Sequence, residues 1–303
     1  MSHLLIMNPG ARSGRGKKLW AFLEQSLRGA GIKFESVETS APEDAFRFAR
    51  AAKGRGTIVA VGGDGTINGV LDGVVQSGDP EVRMGVLYTG TSPDFCRFNR
   101  IPVEPQAAVR TLLADLSSAR DVGRITFYDG AGKERAAHFG CSCNIGLGAA
   151  VARQANLLRG SLGDALGTGL AAVRAFLAGA PADLELEIDG ESVSLKKVNN
   201  LTVVKNPLIA SGIKLNLPLC PDDGRFWVFA VHGKSRAGML GLLPGAYSGN
   251  IAGRDDVFKR QCRSVKVKCA GSQEIEFDGD PRGWLPVSIE LVPKALRLIS
   301  DPL

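Results

Sequence analysis

Several residue classes are scarce in this chain of 303 residues. Aromatic side chains make up 6% and there are three histidines. That leaves little for a nucleic-acid stacking platform, and His3, His138 and His232 are too scattered for a zinc site. The six cysteines (Cys96, Cys141, Cys143, Cys220, Cys262, Cys269) form no paired C-x-x-C pattern. No secretory signal precedes them, because "HLLIM" is too short for a signal core, so reduced thiols in a cytoplasmic protein are expected. Long apolar runs are missing as well. The best stretch, "LGTGLAAVRAFLAGA", is short and carries Arg174.

What the chain does contain is ordinary for a globular protein: 44% apolar and 22% charged residues. Its net charge of +6 suits an anionic partner without choosing one. Strand-like runs alternate with helical patterns up to about residue 121: "HLLIMN", "IKFESVET", "TIVAVGG" and "RMGVLYTG" between "LWAFLEQSLRGAG", "SAPEDAFRFARAA", "TINGVLDGVVQ" and "PVEPQAAVRTLLADL". This order predicts an α/β domain with a parallel sheet. Beyond it, short alternating runs such as "LELEIDG", "GRFWVFAVH", "SVKVKCAG" and "QEIEFDGD" predict a mostly antiparallel β-sandwich. One helical insert is expected over residues 149–179.

Three glycine-rich loops leave predicted strand ends: "NPGARSGRG", "GGDGT" and "TGTSPDF". In an open parallel sheet, ligands sit at the carboxyl ends of the strands. Glycines let backbone amides approach phosphate oxygens, and a helix beginning near Thr66 would add its positive end. Arg12, Arg15, Lys17 and Lys18 bring charge beside the first loop. The alternative is a set of tight turns with nothing bound. Walker-loop spacing is absent, "GGDGTING" misses G-x-G-x-x-G by one position, and "GTGLAA" follows no strand. Asp64, Asp94, Asp121, Asp223, Asp278 and Asp280 all fall in or beside turn-like segments, where a carboxylate can hold Mg²⁺, position a hydroxyl or simply close a turn.

These segments, in their order, resemble the bacterial soluble lipid kinases of the diacylglycerol kinase catalytic-domain family, which includes sphingosine and ceramide kinases. "NPGARSGRGK" is similar to that family's opening loop and "VAVGGDGTINGV" to its central signature. "GTSPDFCR" stands at its G-T-x-N-D-F-A-R, "CNIGLGA" at its S-x-G-x-[DG]-A, and "FDGDP" at its D-G-E. "NPLIASGIKLNLPLCPDDGRFWVFAV" is similar to its Gly-to-DDG segment.

The resemblance implies a nucleotide-binding α/β domain over residues 1–122, with a tail of about 290–303 returning to it, and a β-sandwich lipid domain over 123–289. The active cleft would lie between them. It implies ATP held by Asn8, Pro9, Gly10, Ala11, Arg12, Ser13, Thr39, Gly62, Gly63, Asp64, Gly65, Thr66, Ile67, Asn68 and Thr91. A structural Mg²⁺ would be held by Asp223 with the carbonyls of Cys220 and Arg225, and would orient the cleft through Asp121. Asp94 would serve at the phosphate site. The acceptor hydroxyl would be deprotonated by Asp278, with Asp280 as rival or helper.

Pro93 replaces the family's Asn and has neither a side-chain amide nor an N–H. Asp280 replaces its Glu and is one methylene shorter. "YTGTS" lacks the usual Pro-Leu lead-in. The expected activity is ATP- and Mg²⁺-dependent phosphorylation of diacylglycerol or a related lipid, at an anionic membrane surface to which a cytoplasmic protein binds peripherally. No nucleic-acid partner is expected and a homodimer is left open. The alternatives are an NAD kinase-like enzyme, since that fold shares G-G-D-G-T, and a nucleotide-binding protein without catalysis.

Overall fold

The computed structural model describes residues 3–10, 16–162, 180–209 and 212–301. The chain divides into two compact units, 1–122 with 293–303, and 123–292.

In the first unit, β1 (His3–Met7), α1 (Gly16–Gly29), β2 (Phe34–Glu38), α2 (Asp44–Ala51), β3 (Thr57–Gly62), α3 (Asp64–Ser77) and β4 (Arg83–Tyr88) alternate. A short helix α4 (Asp94–Phe98), α5 (Pro105–Ala114) and the start of β5 (Ser117–Tyr128) follow. Every residue of β3 is buried, the mark of a strand covered on both faces, whereas β2 has no buried residue and, among the described residues, pairs with β1 alone. The strands run parallel in the order β2-β1-β3-β4, and Arg297 and Leu298 near the chain's end add a further parallel partner beside β4.

Leu23 and Leu27 of α1, with Ala108, Val109 and Leu112 of α5, pack on Leu5, Met7, Val59, Val61 and Leu87. Each large aliphatic side chain so buried contributes about 1.5–3 kcal/mol. Glu104 caps α5, its carboxylate accepting from the amides of Gln106 and Ala107 at 3.0 and 2.7 Å, and Pro105 supplies the first helical residue.

The second unit contains β6 (Glu134–Phe139), β7 (Ser142–Gly146), α6 (Leu147–Leu162), β8 (Ala182–Ile188), β9 (Glu191–Val204), the short pair β10 (Leu208–Ile209) and β11 (Ile213–Lys214), and β12 (Phe226–His232). Then come α7 (Arg236–Ser248), β13 (Phe258–Cys262), β14 (Ser264–Cys269), β15 (Glu274–Phe277) and β16 (Asp280–Ile299), the last crossing back into the first unit. Among the described residues, β6 to β15 pair antiparallel with their neighbours. The expected sandwich is corrected in one respect. From β7 the partners run to β9, β8, β14, β16, β15 and back to β7, so six strands close on themselves. Closure removes the exposed edges that an open sheet carries. Sandwich and closed circuit share one alternating pattern, with one face buried in each, so the pattern alone could not separate them.

The core of this unit holds a chain of rings: Phe127 with Phe277, Phe277 with Phe139, and Phe139 with Phe226, at centroid separations of 5.5, 6.3 and 5.9 Å. Phe277 thereby fixes the residue just before the Asp278 turn. The expected insert is helical over Leu147–Leu162, and its remainder, 163–179, lies outside the described residues. The sequence reading missed α7, which has Pro244 inside it and an N-cap at Ser235 whose hydroxyl accepts from the Gly238 amide at 3.1 Å. It also missed β13.

Candidate active site

Four adjacent strands of the first unit end at one edge, and a candidate loop leaves each. After β1, the Asn8 carboxamide accepts from the Gly10 amide at 2.9 Å, closing a tight turn, while the Asn8 amide donates to Val61 at 3.0 Å. After β2, Thr39 donates to Met7 at 2.8 Å. The next turn is drawn round Asp44, whose carboxylate accepts from the Ser40 amide, the Ser40 hydroxyl and the Ala41 amide at 2.8, 2.8 and 3.0 Å. The Ser40 amide, more than any other partner, holds Asp44 below the usual carboxylate range. Ala11, Arg12, Ser13 and Arg15 lie outside the described residues, as do the side chains of Lys17 and Lys18.

After β3 the chain passes Gly62 and Gly63 into the N-terminus of α3, and after β4 it passes Thr89 and Gly90. The two loops cross backbone on backbone. A Cβ added at Gly90 would stand 2.6 Å from the Gly63 Cα, and one added at Gly62 would stand 2.3 Å from the Thr66 hydroxyl oxygen. Only glycine permits this approach. The positive end of the α3 dipole lies at the same edge. Ile67 lies in the first turn of α3, where its amide donates to Gly63 at 3.0 Å and its side chain is buried in the core.

Tyr88, where the family has its lead-in proline, places its hydroxyl oxygen 2.6 Å from the position of a Gly90 Cβ. Burial first, then the Asp64 charge, push its phenol well above the usual range, so it stays neutral. Asp94 opens α4 directly after Pro93, accepts from the Ser92 hydroxyl at 2.9 Å and has Arg97 at 4.0 Å. Thr91 lies between these residues on the same loop. This edge therefore gathers crossing glycine backbones, a helix N-terminus and the carboxylates Asp64 and Asp94, a set suited to a polyphosphate.

In the second unit the β15–β16 turn is reached at Asp278 and Gly279, both with positive φ (49° and 91°). The Asp278 carboxylate accepts from three backbone amides: Gly140 at 2.8, Cys141 at 2.8 and Ser142 at 3.1 Å. These bonds reach across more than 130 residues and pin the β6–β7 link. Three of its roughly four acceptor directions are thus occupied by the protein itself. Asp280 is different: its side chain is 41% exposed, and Arg282 approaches it at 3.4 Å. Sequence reasoning overlooked Glu276. It is buried, accepts from the Asn144 amide group at 2.6 Å and from the Gly279 amide, and is pushed up to about 8, chiefly by burial. Its Asn144 partner accepts in turn from the Thr202 hydroxyl at 2.7 Å, and that hydroxyl accepts from Asn200 at 3.0 Å.

A side chain stands at the expected metal position. Asp223 and the carbonyls of Cys220 and Arg225 do converge on one point, but that point is the Lys205 ammonium. It donates to Asp223 Oδ1 at 2.7, to the Cys220 carbonyl at 2.9 and to the Arg225 carbonyl at 3.4 Å. Asp121 belongs to the first unit, where its carboxylate accepts from the Lys294 amide at 2.9 Å. No cluster of three His, Cys, Asp or Glu able to hold a metal occurs among the described residues. No helix of the described residues is long and apolar enough to cross a membrane.

Residues 2–125 match the diacylglycerol kinase catalytic domain, and residues 141–300 match the YegS C-terminal NAD kinase beta sandwich-like domain. A Mycobacterium tuberculosis protein named diacylglycerol kinase is 26% identical over 308 residues, spanning 97% of this chain and 93% of the relative. Its Bacillus subtilis counterpart, of the same name, is 26% identical over 288 residues and spans 93% and 90%. A crystal structure of a diacylglycerol kinase from Bacillus anthracis superposes with a TM-score of 0.71 at 18% identity, covering 99% of this chain and 97% of that one, a likeness of fold. With the two domain models lying end to end along it, the chain belongs to the diacylglycerol kinase catalytic-domain family and is a lipid kinase.

Proposed function

We propose that this protein transfers the γ-phosphate of ATP to a hydroxyl of diacylglycerol or a closely related lipid. The observation that carries this reading is the close crossing of Gly63 and Gly90, with no side chain between them, beside the N-terminus of α3 at the carboxyl edge of four parallel strands. Asn8–Gly10, Thr39, Gly62–Thr66, Asn68 and Thr91 are the residues assigned to ATP. Asp64 and Asp94 are the hard oxygen ligands this edge offers to the Mg²⁺ that accompanies the nucleotide, where the ion neutralises phosphate charge. Catalysis in such a site is mostly positioning and charge stabilisation.

The second unit is assigned the lipid and the proton acceptor. Asp280 is preferred over Asp278 for that role, because the Asp278 oxygens are directed at the amides of residues 140–142 while Asp280 is open. A basic chain acting on a lipid would bind anionic vesicles more strongly than zwitterionic ones, and salt would weaken that binding.

The test is incubation with γ-labelled ATP, Mg²⁺ and vesicles carrying diacylglycerol, a sphingoid base or ceramide, with NAD in a parallel reaction. Label in phosphatidic acid supports the proposal. Label in NADP identifies an NAD kinase, and ATP binding without transfer to any acceptor identifies a nucleotide-binding protein.

A further inference from the structure

We infer that Lys205 is the resident cation of the Cys220–Arg225 turn and takes the place of a divalent metal there. The strand ladder dictates where it sits. Val204, the last residue of β9, pairs with Trp227 of β12, so the next residue on one strand faces the one before it on the other. Lys205 is thus delivered beside Phe226, at the exit of the 220–225 turn. Its amide donates to the Cys141 carbonyl at 2.9 Å, which fixes the backbone, and its side chain is 1% exposed.

The ammonium has three N–H donors and meets three oxygens, Asp223 Oδ1 and the carbonyls of Cys220 and Arg225. Asp223 also holds its own turn, accepting from the Cys220 amide at 3.1 Å and from the Arg225 amide at 3.4 Å.

Mg²⁺ requires about 2.0–2.1 Å to each of some six oxygens and keeps several waters. An ion that close to these three oxygens would overlap the volume of the ammonium, and two cations would share one carboxylate. The donor set is right for a cation, and the chain supplies it covalently. Two consequences follow. The order of this turn is independent of divalent metal, and any Mg²⁺ requirement of turnover arises at the nucleotide alone.

The experiment uses the full chain without nucleotide. Thermal midpoints are compared in EDTA, excess Mg²⁺ and excess Ca²⁺, and bound magnesium is measured after equilibrium dialysis. The expected result is the same midpoint in all three solutions and no retained magnesium. Lys205→Met should lower the midpoint in EDTA. Lys205→Ala, which vacates the position, should gain a Mg²⁺-dependent rise that is absent in Lys205→Ala with Asp223→Asn. A saturable Mg²⁺ or Ca²⁺ protection of the wild type that Asp223→Asn abolishes would overturn the inference. A Lys205→Met midpoint equal to wild type would do the same. The wild-type measurements decide the matter even if a variant does not fold.

Discussion

At Gly63 and Gly90 two loops cross with no side chain between them, and the neighbouring helix begins there. In the second unit, Asp278, Glu276 and Asp223 each meet donors from distant parts of the same chain: the amides of residues 140–142, the Asn144 carboxamide and the Lys205 ammonium. The first region presents backbone and carboxylates at an edge suited to an anion brought from outside. The second turns its charges inward to hold a closed set of strands in register. The same residue type, an aspartate in a Gly-rich turn, therefore belongs to opposite classes in the two units. Its partners distinguish them, and its local sequence does not.

Asp278 and Asp280 give the sharpest way to break this comparison. Asp280→Asn should cut turnover by about 10²–10⁴-fold, the range of a general base, with the thermal midpoint unchanged. Asp278→Asn should instead unfold at lower temperature, because an amide NH₂ would face backbone N–H groups. A buried donor or acceptor left unmatched costs about 1–3 kcal/mol. If Asp278→Asn kept its stability and lost turnover while Asp280→Asn did neither, the roles would be reversed.

Gly90→Ala comes next in expected size. Its Cβ meets backbone at 2.6 Å, so one loop must move. Displacing phosphate-positioning groups by about an ångström costs on the order of 10²-fold in kcat/KM. Nucleotide affinity should fall with it, and so should the thermal midpoint. Unchanged ATP affinity would show that the crossing is a bare turn.

A pH-dependent effect concerns Glu276. Its folded-state value of about 8 lies above its ordinary 4.5, so its contribution to stability is complete below about pH 4.5 and is lost as pH rises through 8. The slope for this one proton is at most about 1.4 kcal/mol per pH unit. The thermal midpoint of wild type should therefore fall relative to that of Glu276→Gln, which does not titrate, as pH rises from 5 to 8. A constant difference across that range would show that Glu276 is ionised throughout.

Much of the first unit was legible in the sequence. Almost wholly apolar runs such as "TIVAVG", separated by helical periods, are what a strand buried on both faces requires, and the glycine loops mark their ends. The second unit was less so. Lys205 follows "LTVV" and precedes Asn206, where an isolated lysine reads as a surface charge. Its burial depends on the register of β9 against β12, set by residues about twenty positions away. "FDGDP" showed two carboxylates in one turn, but the amides that claim Asp278 lie on the β6–β7 link, beyond the reach of any local pattern. Glu276 sat at an alternating strand position that reads as solvent-facing, and Asn144 across the β7–β15 ladder accounts for its burial. Closure of the six strands depends on which partners pair, and alternation carries no such information.

The transfer reaction itself separates a lipid kinase from a bare nucleotide binder. Wild-type protein and Gly90→Ala are incubated side by side with γ-labelled ATP, Mg²⁺ and diacylglycerol vesicles, and label is followed into the lipid extract. The expected result is a labelled lipid phosphomonoester with the wild type and about a hundredfold less with Gly90→Ala. Label confined to ATP and inorganic phosphate in both, with ATP binding intact, would contradict it.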